Sequence, residues 1–153
     1  AVGPSIIALT RQGVAPVRNQ FSSDNLASKG AYILRESDGD RQATIIATGS
    51  EIEIACAARK KLQKDGIATA VVSAPCLELF DQQDKKYKQA TLGAGHPKVA
   101  VEAAVGFGWE RYIGSDGIFV GMTSFGASGP AEDLYTHFGI TPEAVVDAVK
   151  SRI

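Results

Sequence analysis

A chain of 153 residues has the size of one domain and can bury roughly 70% of the surface its unfolded form exposes, so neither a disulfide framework nor a structural metal is required. Lysine and arginine number 16 against 17 acids. The basic residues fall only in short clusters such as Lys60-Lys61 and Lys85-Lys86, which argues against nucleic acid as the main partner.

No stretch approaches the roughly 20 apolar residues of a membrane span, and no basic-then-apolar leader precedes the first apolar run. Two cysteines, Cys56 and Cys76, make no metal or redox spacing and read as reduced thiols of a cytoplasmic protein. The chain opens on Ala1-Val2-Gly3-Pro4 without an initiator methionine and reads as a piece of something longer.

In chain order, Ser5 to Thr10 is a short apolar run that predicts a strand, stopped at Arg11-Gln12-Gly13. Val14 to Lys29 lacks periodicity and reads as a linker or surface excursion. Gly30 to Glu36 predicts a strand, closed by a Ser37-Asp38-Gly39-Asp40 turn. That strand either forms a hairpin with the next or lies antiparallel nearby.

The stretch Arg41 to Gly66 organises the rest. Ala43-Thr44-Ile45-Ile46-Ala47-Thr48 is the continuous apolar run of a central parallel strand, followed by Gly49-Ser50-Glu51-Ile52-Glu53. Ser50 and Glu53 have the spacing of a capping box. Ile52, Ala55, Cys56 and Leu62 then share a helix face, and Gly66 ends the helix.

Downstream, Ile67 to Ser73 predicts another buried strand, Pro75 to Asp81 a loop and Gln83 to Thr91 a short polar helix. Lys98 to Glu102 and Gly117 to Gly121 predict strands separated by a short helix over Gly108 to Tyr112. Helices over Pro130 to Phe138 and Pro142 to Arg152 finish the chain. Their inward residues are Ala131, Leu134, Tyr135 and Phe138, then Val145, Ala148 and Val149. Thr141 caps the last helix, with Pro142 at its first turn. Strands alternating with helices, after one hairpin-like entry, predict a three-layer α/β/α sandwich on a mostly parallel sheet.

Several places carry candidate chemistry. The Thr48-Gly49-Ser50 turn lies where such a sheet offers its ligand crevice, yet it has one glycine of the dinucleotide fingerprint, and Glu51 and Glu53 add negative charge. It either binds an anion or only starts a helix. Gly106-Phe107-Gly108-Trp109-Glu110-Arg111 puts Arg111 where a third glycine should stand and aromatics where pyrophosphate needs room, so it reads as a helix start. Phe125-Gly126-Ala127-Ser128-Gly129-Pro130 fails the spacing of a nucleophile elbow. His96 and His137 read as ordinary loop and helix-end histidines. Glu102 ends a strand, either as a functional carboxylate or as a strand-end charge in solvent or paired with Arg111. Arg11, at a strand end with Gln12 beside it, projects the planar fork that grips phosphate or carboxylate, or else makes a surface salt bridge.

Collected in order, these residues resemble the carboxyl-terminal end of a transketolase. The landmarks are Gly3-Pro4 leading to Ala8-Leu9-Thr10-Arg11-Gln12, then Lys29-Gly30-Ala31-Tyr32-Ile33-Leu34, Ile46-Ala47-Thr48-Gly49-Ser50-Glu51 and Val71-Val72-Ser73-Ala74-Pro75. They continue through Phe80-Asp81-Gln82-Gln83 and Val101-Glu102-Ala103 to Phe125-Gly126-Ala127-Ser128-Gly129-Pro130-Ala131. The family transfers a two-carbon ketol unit between sugar phosphates with thiamine diphosphate and a divalent metal, Mg or Ca, in a homodimer.

The resemblance implies that residues 1–28 end the preceding pyrimidine-binding domain and lead out of it. It implies that 29–153 form the third domain, a three-layer α/β/α sandwich on a five-stranded mixed, mostly parallel sheet, with Gly30 to Glu36 as the antiparallel strand. Arg11 matches the arginine that holds the sugar's phosphate, while Gly13 departs from the asparagine common after that motif. The metal and diphosphate motif, the catalytic glutamate and the substrate histidines of the family lie upstream of residue 1. The resemblance therefore implies an inactive piece with no cofactor of its own and no catalytic or metal residue, whose partners are the upstream domains. Two alternatives stand beside it. One is the last domain of a related thiamine enzyme, deoxyxylulose phosphate synthase or the β part of a 2-oxoacid dehydrogenase. The other is a regulatory module holding an anion or nucleotide at Gly49.

Overall fold

Burial on both faces sets the central strands of the sheet, while its edge strands are only partly covered. A computed structural model describes residues 3–19 and 21–153. Strands β1 (Tyr32–Arg35), β2 (Ala43–Ala47), β3 (Thr69–Ser73), β4 (Lys98–Val105) and β5 (Ile118–Met122) form one sheet in the order β1-β3-β2-β4-β5. All pairings are parallel except that of β1 with β3. Every residue of β2 is buried, as the continuous apolar run requires.

Successive side chains on these strands point to opposite faces, so each run feeds two cores. Ile45, Val71, Val99 and Val101 face one side, where they meet Ala55, Ala58 and Leu62 of α1 (Ile52–Lys64) and Val145 and Val149 of α6 (Pro142–Lys150). Ile46, Val72 and Ala100 face the other, against Phe80 of α2 (Leu77–Asp81), Tyr87 and Leu92 of α3 (Lys85–Leu92), and Trp109 and Ile113 beside α4 (Glu110–Ile113). The three layers expected from the alternation of elements are these. Helix α5 (Ala131–His137) sits beside the first core through Tyr135. Thr141 caps α6 as expected, its hydroxyl accepting from the Ala144 N–H at 3.2 Å.

Four local expectations need correction. Residues 5–10 form no strand: the segment is exposed and unpaired among the described residues, with Ile6 97% and Leu9 83% exposed. An apolar run becomes a strand only where a neighbour satisfies its N–H and C=O groups, and none of the five strands lies beside it. Arg11 accordingly stands on exposed irregular chain and not at a strand end. The alternative of a hairpin between the first two strands of the sheet also fails, because β3 lies between them.

The third correction is the capping box. A 3-10 turn over Gly49–Glu51 precedes α1, and neither Ser50 nor Glu53 caps the helix. The turn supplies its own backbone bond, from Glu51 N–H to Thr48 O at 3.1 Å, while the Ser50 hydroxyl turns toward Tyr135 and Glu51. Fourth, the loop expected over Pro75 to Asp81 contains α2. This turn is set by Phe80, which is fully buried and edge-on to Tyr87 at 6.2 Å.

Gly30 shows how tightly that corner is closed. Its φ of +82° lies in the left-handed region, and a Cβ there would fall 2.2 Å from Phe80 N and 2.3 Å from Cys76 O. Its carbonyl accepts from the Cys76 N–H at 3.0 Å, so neither backbone can retreat cheaply. Gly30→Ala is expected to cost more than about 2 kcal/mol, read from urea unfolding of the chain. A cost below about 0.5 kcal/mol, the range of neutral surface changes, would contradict this account of the corner.

Candidate functional site

Chain direction places a crevice at one point of the sheet. From β2 the chain leaves through α1 to β3 on one side, and from β4 it leaves through α4 to β5 on the other. Ligands of open α/β sheets lie where such connections diverge, outside the carboxyl ends of the two strands. Here that point lies between Thr48, just after β2, and Glu102 within β4.

Its contents are the protein's own side chains. The Thr48 hydroxyl donates to Glu102 Oε1 at 2.7 Å, and the indole N–H of Trp109 donates to Glu102 Oε2 at 2.9 Å. Trp109 is 3% exposed and packs on Phe119 and Tyr112. Each carboxylate oxygen thus has a donor, and a strand, a turn and a helix start converge on one side chain. Glu102 is therefore not the partner of Arg111, whose guanidinium pairs instead with Asp81 at 3.0 Å.

A second carboxylate closes the other wall. Glu51 is 5% exposed and accepts from the hydroxyls of Ser50 and Tyr135, which also bond each other at 3.0 Å. Burial pushes the Tyr135 hydroxyl above its ordinary pKa and its bond to Glu51 adds to the rise, while bonds from Ser50 and Gln12 work the other way. Gln12 and Tyr135 together line a hollow of about 200 Å³ with Leu134, Phe138 and Ile140. The Thr10–Gln12 turn, fixed by the Gln12 N–H on the Thr10 hydroxyl at 3.2 Å, thus lies beside this cluster with Arg11 exposed in its middle.

Two hydroxyl-bonded carboxylates, neither in an ion pair among the described residues, disfavour an anion at the Gly49 turn by direct repulsion. The same chemistry fails thiamine diphosphate, whose phosphates need cations or a metal. Among the described residues no three His, Cys, Asp or Glu side chains lie close enough to hold a metal ion. The crevice between Thr48 and Glu102 therefore does not fit the cofactor's phosphates.

The remaining candidates scatter. His137 is exposed at the end of α5 and edge-on to Phe138. Phe107 is 93% exposed and Phe125 98% exposed, so only Trp109 of the aromatics beside Gly106 and Gly108 packs inward. Both cysteines are free thiols, and burial pushes that of Cys56 up. His96 lies at the opposite end of the sheet, Nε2 3.1 Å from Thr44 Oγ1.

The network at Thr48, Glu102 and Trp109 was hidden from sequence reasoning, although a signal existed. A buried tryptophan needs an acceptor for its N–H, and an inward tyrosine one for its hydroxyl. A glutamate inside an apolar strand is the nearest supply.

Family comparison then gives a context. The model of the Transketolase-like TK C-terminal domain matches residues 30–141. The chain is similar to a transketolase of Sinorhizobium medicae, 54% identical over 144 residues that cover 94% of this chain and 21% of that protein. It is also similar to one of Rhodobacter capsulatus, 51% identical over 154 residues, covering 97% and 23% respectively. Among solved structures, transketolase from Leishmania mexicana superposes with a TM-score of 0.76 at 47% identity, covering 82% of this chain and 18% of that one. The chain thus spans about a fifth of the length of the relatives it matches.

Removing the shared acceptor tests the closed crevice. Glu102→Ala leaves a buried indole N–H without a partner and is expected to cost about 1–3 kcal/mol. Glu102→Gln can still accept from Trp109 and donate to Thr48, and should cost less than about 1 kcal/mol. Urea unfolding followed by fluorescence of the single tryptophan measures both, and equal losses would show that acceptor geometry is not what Glu102 supplies.

Proposed function

This chain belongs to the transketolase family as its C-terminal domain, and we propose that it serves as the carboxyl-terminal part of a working transketolase. The observation that carries the reading is a contrast. The chain matches about a fifth of its relatives' length at high identity, yet at its switch point the Glu102 carboxylate is already engaged by Thr48 and Trp109.

In this reading the ketol transfer between sugar phosphates, a step of the pentose phosphate pathway, is performed by a homodimer in the cytoplasm. Its thiamine diphosphate and divalent metal are held by residues upstream of Ala1, and the metal-bound cofactor supplies the carbanion chemistry. The 153 residues alone are inactive. No helix among the described residues is long and apolar enough to cross a membrane.

What the present chain brings to the substrate is Arg11. In the proposal residues 1–28 complete the preceding domain and 29–153 form the third. The exposure of Ile6, Ile7 and Leu9 supports that division, because such side chains fit a strand that pairs with a sheet outside this domain. The hollow that Gln12 and Tyr135 line together would then set the arginine-bearing turn against the third domain. The guanidinium presents its fork to the distal phosphate of the sugar, fixing the substrate's far end without touching the reacting carbons.

A hydrogen bond to a charged group contributes about 1.5–3 kcal/mol. Arg11→Ala in the complete enzyme should therefore lower kcat/KM for phosphorylated donors about ten- to hundredfold. Hydroxypyruvate, an unphosphorylated donor, should be nearly unaffected. An equal loss with both donors would overturn the assignment of Arg11.

A further inference from the structure

The amino-terminal ends of β4 and β5 carry the opposite charge balance from the Glu102 crevice. Between the loop before β4, the turn before β5 and the end of α6 lies a hollow of about 700 Å³, lined by His96, Lys98, Ser115, Asp116, Ser151 and Arg152. That volume falls within the roughly 300–1,000 Å³ of small-molecule sites. The wall loops turn through Gly95, Gly114 and Gly117, which keeps side chains out of the opening.

The cations here lack partners. Neither Lys98 nor Arg152 forms an ion pair among the described residues, and neither does Asp116. Lys98 gives one N–H to His96 O at 3.2 Å, leaving two donors. Burial pushes its pKa down, which marks an ammonium that has lost water without gaining an anion.

His96 is built into the same wall. Its ring lies over Gly93, where a Cβ would fall 2.1 Å from Nε2, and Nε2 meets the Thr44 hydroxyl. Its pKa is pushed down by burial first, then by the Lys98 and Arg41 cations, with Glu36 opposing. Arg41 itself is committed, held by both oxygens of Glu36 and by Thr91 O.

We propose that this hollow binds phosphate, free or carried by a small phosphomonoester, between Lys98 and Arg152 with His96 at its edge. A phosphate group carries about −1.5 to −2 charge near neutral pH, enough to neutralise both unpaired cations, where a monocarboxylate would answer only one. Arginine offers its fork and lysine a point charge to such oxygens. The serines and Asp116 are left for hydroxyls of the ester's body. This site depends on neither Arg11 nor the transketolase reading, so either assignment can fail without the other.

The chain's two histidines give a direct test by NMR of their ring protons, titrated with inorganic phosphate in one arm and glycerol phosphate in another. Acetate at matched ionic strength is the control. Phosphate binding should shift the His96 signal saturably and raise its pKa, since a nearby anion favours imidazolium. The exposed His137 should show neither change. Tighter binding of glycerol phosphate would identify an ester site and equal binding a site for the free ion. Lys98→Gln and, on the exposed end of the chain, Arg152→Gln should each weaken binding about tenfold. No saturable shift of His96, an equal shift with acetate, or affinity unchanged in both variants would overturn the proposal.

Discussion

The carboxylate of Glu102 ties together the side chains at the sheet's switch point. Strands β2 and β4 are parallel neighbours, but their following connections run apart, and a doubly wound sheet opens at that point. Glu102 spans the opening by taking the Thr48 hydroxyl on one oxygen and the Trp109 indole on the other. The start of α1, the end of β2 and the aromatic group under α4 are positioned relative to one another through this side chain. A half-buried carboxylate would ordinarily cost stability, and two donors at normal distances offset that cost.

The same closure gives the domain an electrical polarity. Its carboxyl end carries Glu51 and Glu102 with hydroxyl and indole donors, whereas its amino end carries Lys98, Arg152 and a half-buried His96. Ligand sites of this architecture usually sit at the carboxyl ends of the strands, yet here that end repels anions. In the proposed reading, function lies at the margins: at Arg11 on the turn beside Tyr135, and at the basic hollow at the far end.

Much of the fold was legible because burial on both faces writes a strong pattern. The apolar runs of β2, β3 and β4 and the periodicity of α1 and α6 follow from a sheet covered on both sides. The Thr141 cap follows from local chemistry alone. Features that depend on distant partners were not legible. Ser50 has the spacing of a cap, but Tyr135, 85 positions later, competes for its hydroxyl. Residues 5–10 have the composition of a strand, but a strand needs a neighbour. The turn of α2 depends on the pocket that receives Phe80. The resemblance to transketolases was readable from the order of short motifs, whereas the role of Glu102 required knowing that Thr48 and Trp109 meet it in space.

In the proposed reading the Glu102 network occupies the switch point and the cofactor is held elsewhere in the enzyme. Two-dimensional amide NMR of the chain, titrated with thiamine diphosphate and magnesium, tests it most directly. The account expects the amides of residues 48–52 and 102–109 to stay in place as the cofactor is added. Saturable movement of those signals would contradict it.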